Sequence, residues 1–212
     1  LGNYPITITG TSASITKNKN IDFPFYNGNC TSIASTEYET STTSVQFNTI
    51  NNNSTKPSGY SNYTNISTDV IRTSSYNITV KVNTDGDFTT ATKVWIDWNQ
   101  NCDFNDAGEE YNLGDATNVS NGNTANSPLS ITVPAGAILG STIMRISTKY
   151  KDDGLPTSCE NGFDGEVEDY TINVISPQAA SVSLVNFNTI NNVTIIASGY
   201  SDFKSISTTS LF

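Results

Sequence analysis

Apolar and polar residues alternate along most of this chain, and a period of two residues is that of a β-strand with one buried face. The clearest alternating sets are Tyr76, Ile78, Val80 and Val82; Val94, Ile96 and Trp98; Leu129, Ile131 and Val133; and Tyr170, Ile172 and Val174. Residues 143–150 form a further strand-like run. We find no convincing 3.6-residue period of the kind that marks an amphipathic helix.

Turn-forming residues separate these runs: Asp-Gly-Asp at 85–87, Asn-Gly-Asn at 121–123 and Pro-Ala-Gly at 134–136. Many short strands joined by turns are typical of all-β domains. We therefore predict an antiparallel β-sandwich of jelly-roll or Ig-like type that runs from about Cys30 to Ile175.

The chain also contains an internal repeat. Residues 45–52 match 185–192, residues 58–61 match 198–201, and residues 66–68 match 206–208, always at an offset of 185 − 45 = 140. An ungapped match of this kind indicates a tandem repeat of domain length. We predict a complete β-sandwich at 29–176 and the truncated start of a second repeat at 177–212. Residues 1–28 resemble the end of a preceding Ig-like β module, or else form a linker.

Charge and composition exclude several classes of function. The net charge of −10 argues against nucleic acid, which requires a basic surface, and against an anionic membrane surface. No apolar run approaches the ~20 residues of a membrane span. The chain has no histidine, which excludes the Ser-His-Asp triad, the Cys-His pair and His-ligated zinc.

One loop carries an oxygen-bearing side chain at every second position. Its residues are Asp97, Asn99, Asn101, Asp103 and Asn105, followed by Asp106 and Glu109. Alternating carboxylate and amide oxygens are typical of calcium-binding loops. Cys102 stands where such loops need glycine, however, and Glu109 comes one residue after the usual closing position. We predict calcium binding by Asp97, Asn99, Asn101, Asp103, Asp106 and Glu109; the alternative is an Asx-rich turn bonded to its own backbone.

Glu166 and Glu168 lie two residues apart on a strand, on the same face as Tyr170 and hence on the core side. A carboxylate there needs a partner. We predict a structural ion pair between Arg145 and Glu168, with Glu166 as the other candidate partner. Alternatively, Glu166 or Asp164 completes the calcium shell. A retaining glycosidase pair would need about 5 Å between carboxyl groups and an open cleft, and the sequence marks no cleft, so we predict no catalytic residue.

The three cysteines, Cys30, Cys102 and Cys159, show no close metal-binding spacing. Cys102 lies in the acidic loop, and Cys159 lies shortly before the strand of Glu166. If both loops meet around one site, the two cysteines meet there too. We predict a Cys102–Cys159 disulfide, which implies an oxidising compartment and leaves Cys30 over.

Several aromatic side chains offer an alternative role. Tyr60, Tyr63, Trp95 and Tyr111 could present flat faces to a carbohydrate. The competing interpretation is that these rings pack in the core.

Five motifs resemble those of the GEVED domain, in order and in spacing: residues 95–99, 107–109, 133–134, 144–146 and 165–170 (Gly-Glu-Val-Glu-Asp-Tyr). The resemblance covers about residues 30–175 and begins again at Val185. Domains of this family occur in tandem in large secreted proteins of Bacteroidetes-type bacteria, often exported by type IX secretion. The resemblance implies a secreted, cell-surface location and a modular, non-catalytic role. Asn101-Cys102-Asp103 departs from the Asp-Gly-Asp common in the family.

Together these observations predict a non-catalytic extracellular β-sandwich repeat module of a large secreted or surface protein. Calcium would stabilise it, and it would serve adhesion or spacing. Its partners would be neighbouring repeats and a protein or glycan on a surface. The alternatives are a carbohydrate-binding accessory domain of a secreted hydrolase and a non-catalytic segment of a secreted peptidase.

Overall fold

The computed structural model describes the backbone of residues 2–12, 15–25 and 30–177 and the side chains of residues 30–177. The chain divides into two compact units, Leu1–Pro177 and Gln178–Phe212. The truncated repeat predicted at 177–212 lies almost wholly outside the described residues. The division into three parts therefore stays a prediction.

Near the start of the chain, β1 (Gly2–Ser12) and β2 (Ile15–Phe25) pair with each other antiparallel. The other strands are β3 (Ile33–Ser35), β4 (Ser41–Phe47), β5 (Ile50–Asn53), β6 (Tyr60–Ile71), β7 (Ser75–Asn83), β8 (Thr89–Ile96), β9 (Glu110–Thr117), β10 (Gly122–Asn123), β11 (Leu129–Thr132), β12 (Gly140–Tyr150) and β13 (Asn161–Ile175). The assignment of residues 1–28 to an Ig-like module stays a prediction.

Two packed sheets form the sandwich, so the predicted all-β sandwich is confirmed. The five-stranded sheet has the order β10-β7-β4-β5, with β11 also paired to β7. The six-stranded sheet has the order β3-β13-β12-β8-β9, with β6 also paired to β13. Of the Asn-Gly-Asn run at 121–123, predicted as a turn, Gly122 and Asn123 form the short strand β10 instead.

The core lies between the sheets and is built from the alternating residues. Ile78, Val80 and Val82 of β7 are fully buried, and they belong to the same apolar cluster as Ile96 and Tyr170 of the facing sheet. Alternation therefore predicted correctly which side of each strand faces inwards, because side chains on a strand point to opposite faces in turn.

The strand β13 departs from the expected antiparallel pattern. It pairs antiparallel with β12 but parallel with both β3 and β6. The carbonyl of Gly59, just before β6, accepts hydrogen bonds from the N–H groups of Ala34 (3.1 Å) and Val167 (3.2 Å) and so joins the three strands. Alternation specifies the buried face of a strand but not the direction of its neighbour, so this pairing could not be read from the pattern.

Within the described part of the chain, the helical structure consists of a single 3-10 turn at Lys151–Asp153. No helix there has the length and apolar character needed to cross a membrane.

The outer face of the six-stranded sheet is covered as well. Trp95, which points away from the core, is only 1 % exposed, and Phe163 and Val167 form a second small apolar cluster with Ala34. Residues 30–32, 97–109 and 155–160 pack over this face, where Cys30, Ser158 and Phe104 contact Arg145. Residues 165–170 are consequently buried on both sides of the sheet.

Candidate functional site

The acidic loop, residues 97–109, connects β8 to β9 at one end of the six-stranded sheet. Its ends are fixed together because the N–H of Ile96 donates to the carbonyl of Glu109 (3.0 Å). Its start is fixed to β12, where the N–H of Asp97 donates to the carbonyl of Ile143 (3.2 Å) and Thr142 Oγ1 donates to the carbonyl of Asp97.

The alternating side chains of this loop form consecutive Asx turns. Asn99 Oδ1 accepts from the N–H of Asn101 (3.1 Å), Asn101 Oδ1 from that of Asp103 (2.8 Å), and Asp103 Oδ1 from that of Asn105 (2.9 Å). An oxygen two residues before an N–H is the usual geometry of such turns. The Asx-rich alternative is thus present in the loop; it does not by itself exclude an ion, since the same oxygens have further lone pairs.

Asp97 organises the tight turn at Cys102. Its two carboxylate oxygens accept from the N–H groups of Asn101 (3.1 Å) and Cys102 (3.0 Å). Cys102 has a φ of +66°, in the left-handed region where glycine is favoured. The sequence-based view that Cys102 occupies a glycine position is therefore correct for the backbone.

Glu109 and Asp106 close the loop from the other side. Glu109 Oε1 accepts from the N–H of Asn99 (3.1 Å), and Asp106 Oδ2 accepts from the side-chain amides of Asn99 (2.8 Å) and Asn101 (2.6 Å). Burial, followed by the charge of Asp97, raises the pKa of Glu109 to about 7. Burial also raises the pKa of Asp97, whereas the two amide donors lower that of Asp106.

The structure does not bring Glu166 to this loop. Glu166 lies opposite Thr148 in the β12–β13 ladder, whereas the loop leaves β8 beside Met144. Four residues of strand separate these positions, about 13 Å at roughly 3.3 Å per residue. The predicted inclusion of Glu166 among the calcium ligands is therefore wrong on geometry. In the described residues, no three His, Cys, Asp or Glu side chains form a group that could hold a metal ion.

Arg145 pairs with Asp169, not with Glu168 or Glu166 as predicted. Its Nε and Nη2 donate to the two oxygens of Asp169, both at 2.8 Å. Arg145 and Asp169 face each other in the β12–β13 register and both point to the outer face. Glu168 points into the core, on the opposite face of the sheet from Arg145, so the two side chains cannot pair.

The loops over the outer face converge on this pair. Arg145 Nη1 donates to the carbonyls of Cys30 (2.7 Å) and Ser158 (2.8 Å), and its guanidinium lies 5.2 Å from the ring centre of Phe104 in the acidic loop. Tyr60 donates to Asp169 Oδ2 (3.0 Å), and burial together with that carboxylate raises the pKa of Tyr60 to about 12. The cluster is structural, because its polar atoms are bonded to one another.

The disulfide joins Cys30 to Cys159, with 5.6 Å between their Cα atoms. The predicted Cys102–Cys159 pairing is therefore wrong. The acidic loop does approach this region, but it does so through Phe104, and Cys30 is brought in by the Arg145 contact to its carbonyl. Three cysteines offer three pairings, and spacing cannot choose among them.

Glu166 and Glu168 lie inside the sandwich and are fully buried. Glu166 accepts from Ser61 Oγ (2.8 Å) and from the N–H of Thr42 (3.1 Å); Glu168 Oε2 accepts from the hydroxyl of Tyr170 (2.9 Å), while its Oε1 has no partner among the described residues. Burial is the main cause that raises the pKa of Glu166 to about 8 and that of Glu168 to about 7. A substrate could not reach either carboxylate without opening the sandwich.

The four candidate aromatic rings do not form an exposed row. Trp95 is buried, and Tyr60, Tyr63 and Tyr111 are partly buried. Tyr63 stacks near Tyr170, with 5.5 Å between ring centres, and Tyr111 accepts from the indole N–H of Trp98 (2.8 Å). A cavity of about 320 Å³ does open beside Tyr60, Arg145 and Asp169, but the polar atoms of those residues already bond one another.

Sequence reasoning missed Asp169, Phe104 and Cys30. For Asp169 a signal existed: Arg145 and Asp169 are each one residue out of step with the core positions Met144 and Tyr170, which places both on the outer face. For Phe104 and Cys30 we see no signal in the sequence.

Residues 91–173 match the GEVED domain, and no curated protein matches the chain. The matched segment runs from β8 to β13 and includes the acidic loop, Arg145 and residues 165–170. The match fits a non-catalytic module of a secreted type. The resemblance seen in the sequence is confirmed over these residues, and the matched segment builds four strands of the six-stranded sheet together with β10 and β11.

Proposed function

We propose that this chain contributes a non-catalytic, calcium-stabilised module to a secreted or surface protein, where it serves spacing or adhesion. The observation that carries the proposal is the position of the disulfide. Cys30 lies at the start of the sandwich, and Cys159 lies just before β13, its last strand.

This disulfide shortens the path along which a pulling force travels. Force entering at Cys30 crosses directly to Cys159 and β13, so the residues between them, a sequence separation of 129, are bypassed. A module closed in this way keeps its length under tension, as a spacer between an anchor and a surface partner requires. The disulfide also suits an extracellular setting, since such bonds persist in oxidising compartments.

The sequence repeat supports an array of like modules. Three repeated residues have structural roles in the first copy: Asn52 Nδ2 donates to the Tyr170 hydroxyl (2.8 Å), Ser61 Oγ to Glu166, and Gly59 accepts from β13. Their counterparts are Asn192, Ser201 and Gly199. All three residues form hydrogen bonds with β13. Their recurrence therefore supports a second segment that binds a strand of the same kind.

An enzymatic role has little support. The chain has no histidine, and the two carboxylates of its most distinctive motif, Glu166 and Glu168, are enclosed in the sandwich. The carbohydrate-binding alternative is also weakened, because Trp95 is buried. The alternative of a non-catalytic segment of a secreted peptidase assigns the same role to this module. It differs only in the domains that would accompany the module in the full protein.

The test is single-molecule pulling from the two ends of the chain. We expect the oxidised parent to unfold with a contour length about 450 Å shorter than that of Cys159→Ser, at roughly 3.5 Å per bypassed residue. The reduced parent should match Cys159→Ser. Equal contour lengths for the oxidised parent and the variant would overturn the spacing role. A glycan array probed with the labelled chain tests the carbohydrate alternative.

A further inference from the structure

Glu109 holds a buried carboxylate oxygen that has no partner. The residue is 3 % exposed; its Oε1 accepts from the N–H of Asn99, but Oε2 has no hydrogen bond within the described residues. An unpaired carboxylate oxygen removed from water is costly. Such an atom points to a partner that the protein itself does not supply.

A second buried carboxylate lies close by. Asp97 is also 3 % exposed, and its charge acts on Glu109, as does that of Asp106. The ion pairs of the described residues join Lys93 to Glu110, Arg145 to Asp169, Lys149 to Glu160 and Lys151 to Asp115, and none of them includes Asp97, Asp106 or Glu109. The loop therefore concentrates negative charge that these ion pairs leave uncompensated.

Space for an ion adjoins these groups. Glu109, Asp106 and Asn99 line a cavity of about 170 Å³ together with Trp98, opposite the Pro134–Ala137 turn. This volume accommodates an ion with several water molecules, since one water occupies about 30 Å³ in the liquid.

We propose that a calcium ion binds in this cavity beside Glu109 Oε2, with Asp106 and Asn99 as the other oxygen-bearing side chains that line it. This rests on the calcium stabilisation proposed above and gives it a location. All the side chains facing the cavity that could ligate carry oxygen, which favours a hard cation over zinc or copper. Since no three carboxylates converge closely here, the remaining ligands would be amide and carbonyl oxygens and water, which calcium accepts in irregular geometry.

Four residues of the loop-based prediction are left out of this site. Both oxygens of Asp97 already accept hydrogen bonds from the N–H groups of Asn101 and Cys102, and Asn101 Oδ1 accepts one from that of Asp103. Asp103 is exposed, and its Oδ1 is already bonded to the backbone and side-chain N–H groups of Asn105. Glu166 lies in the sandwich interior. With only two carboxylates at the cavity, we expect a weak site, with a Kd of about 10⁻⁴ to 10⁻³ M as in extracellular calcium modules.

The experiment compares Glu109→Gln with Asp103→Asn, two variants that each remove one charge from the same loop. Calcium binding is measured by calorimetry, and terbium binding by emission after tryptophan excitation, since Trp98 lines the cavity. We expect parent and Asp103→Asn to bind calcium alike, and Glu109→Gln to bind at least tenfold more weakly. In chelator, Glu109→Gln should melt at or above the temperature of the parent, which shows that it folds.

The other outcomes separate the two proposals. If Glu109→Gln binds calcium as the parent does, the site is wrong while calcium stabilisation survives. If the parent neither binds calcium nor melts at a higher temperature in 10 mM calcium, both the site and calcium stabilisation are wrong. Neither outcome touches the spacing role, which the pulling experiment tests by itself.

Discussion

Arg145 and Asp169 lie directly opposite each other in the β12–β13 ladder and form two parallel hydrogen bonds of 2.8 Å, with both side chains buried on the outer face of the sheet. Arg145 also holds the carbonyls of Cys30 and Ser158. This one side chain therefore connects the central ladder to the segments that carry the disulfide.

Breaking this pair should destabilise the module severely. Asp169→Asn leaves the buried guanidinium without its counter-charge, and removal of one partner of such a pair costs about 3–5 kcal/mol. Urea unfolding of the oxidised chain measures the loss. Glu110→Gln, which breaks the more exposed pair with Lys93, is the control and should cost under about 1 kcal/mol. Equal losses for the two variants would contradict a central role for Arg145–Asp169.

The disulfide gives a prediction that distinguishes the cysteines. Cys30→Ser and Cys159→Ser should each lower the free energy of unfolding by about 2–5 kcal/mol, because the unfolded chain is no longer cross-linked. Cys102→Ser should leave the cross-link in place. Proteolytic mapping without reductant checks this directly: a peptide pair containing Cys102 and Cys159 in the parent would show that the structural pairing is wrong.

Because Glu166 and Glu168 are buried, we expect the free energy of unfolding to fall as pH rises. In the folded state the pKa of Glu166 is raised to about 8 and that of Glu168 to about 7, above the ordinary value of 4.5. Between pH 4.5 and about 8 the folded state therefore binds more protons than the unfolded state, and the slope of unfolding free energy against pH is negative. Urea unfolding across this range measures the slope.

Glu168→Gln should flatten that slope and stabilise the module at pH 8. At this pH the buried Glu168 is either charged in the interior or protonated against its ordinary pKa, and both states cost free energy, whereas glutamine is always neutral. Glu37→Gln, at the exposed surface, controls for the loss of one negative charge. If the free energy of unfolding of the parent and that of Glu168→Gln change in parallel with pH, Glu168 does not cause the slope.

Gly165, the first residue of the Gly-Glu-Val-Glu-Asp-Tyr motif, should not tolerate a side chain. A Cβ there would overlap the carbonyl oxygen of Thr148 and lie 2.7 Å from the ring of Phe163. Gly165→Ala should cost about 1–3 kcal/mol or more, as overpacking usually does. The matched control is Gly136→Ala, where a Cβ would meet no atom within 4 Å. Thermal unfolding compares the two, and a similar effect at both positions would show that β13 can shift away from β12.

A large part of the fold followed from local pattern. Alternation at Ile78, Val80 and Val82 assigned the core face, and the spacing around residues 95–109 and 165–170 identified the domain. The same parity placed Glu166 and Glu168 inside the sandwich. These are properties of consecutive residues on one strand, and the strand geometry converts them directly into a direction in space.

Contacts between distant segments were decided only by the tertiary structure. The parallel pairing of β13 with β6, the choice of Cys30 over Cys102, and the pairing of Arg145 with Asp169 depend on which strands become neighbours and on how the loops fold over the outer face. The acidic loop shows the same division: its local sequence determined the alternating oxygen-bearing side chains and the glycine-like turn at Cys102. Only the packing against β12 and the Pro134–Ala137 turn buried Asp97 and Glu109, because burial depends on neighbours that no local spacing specifies.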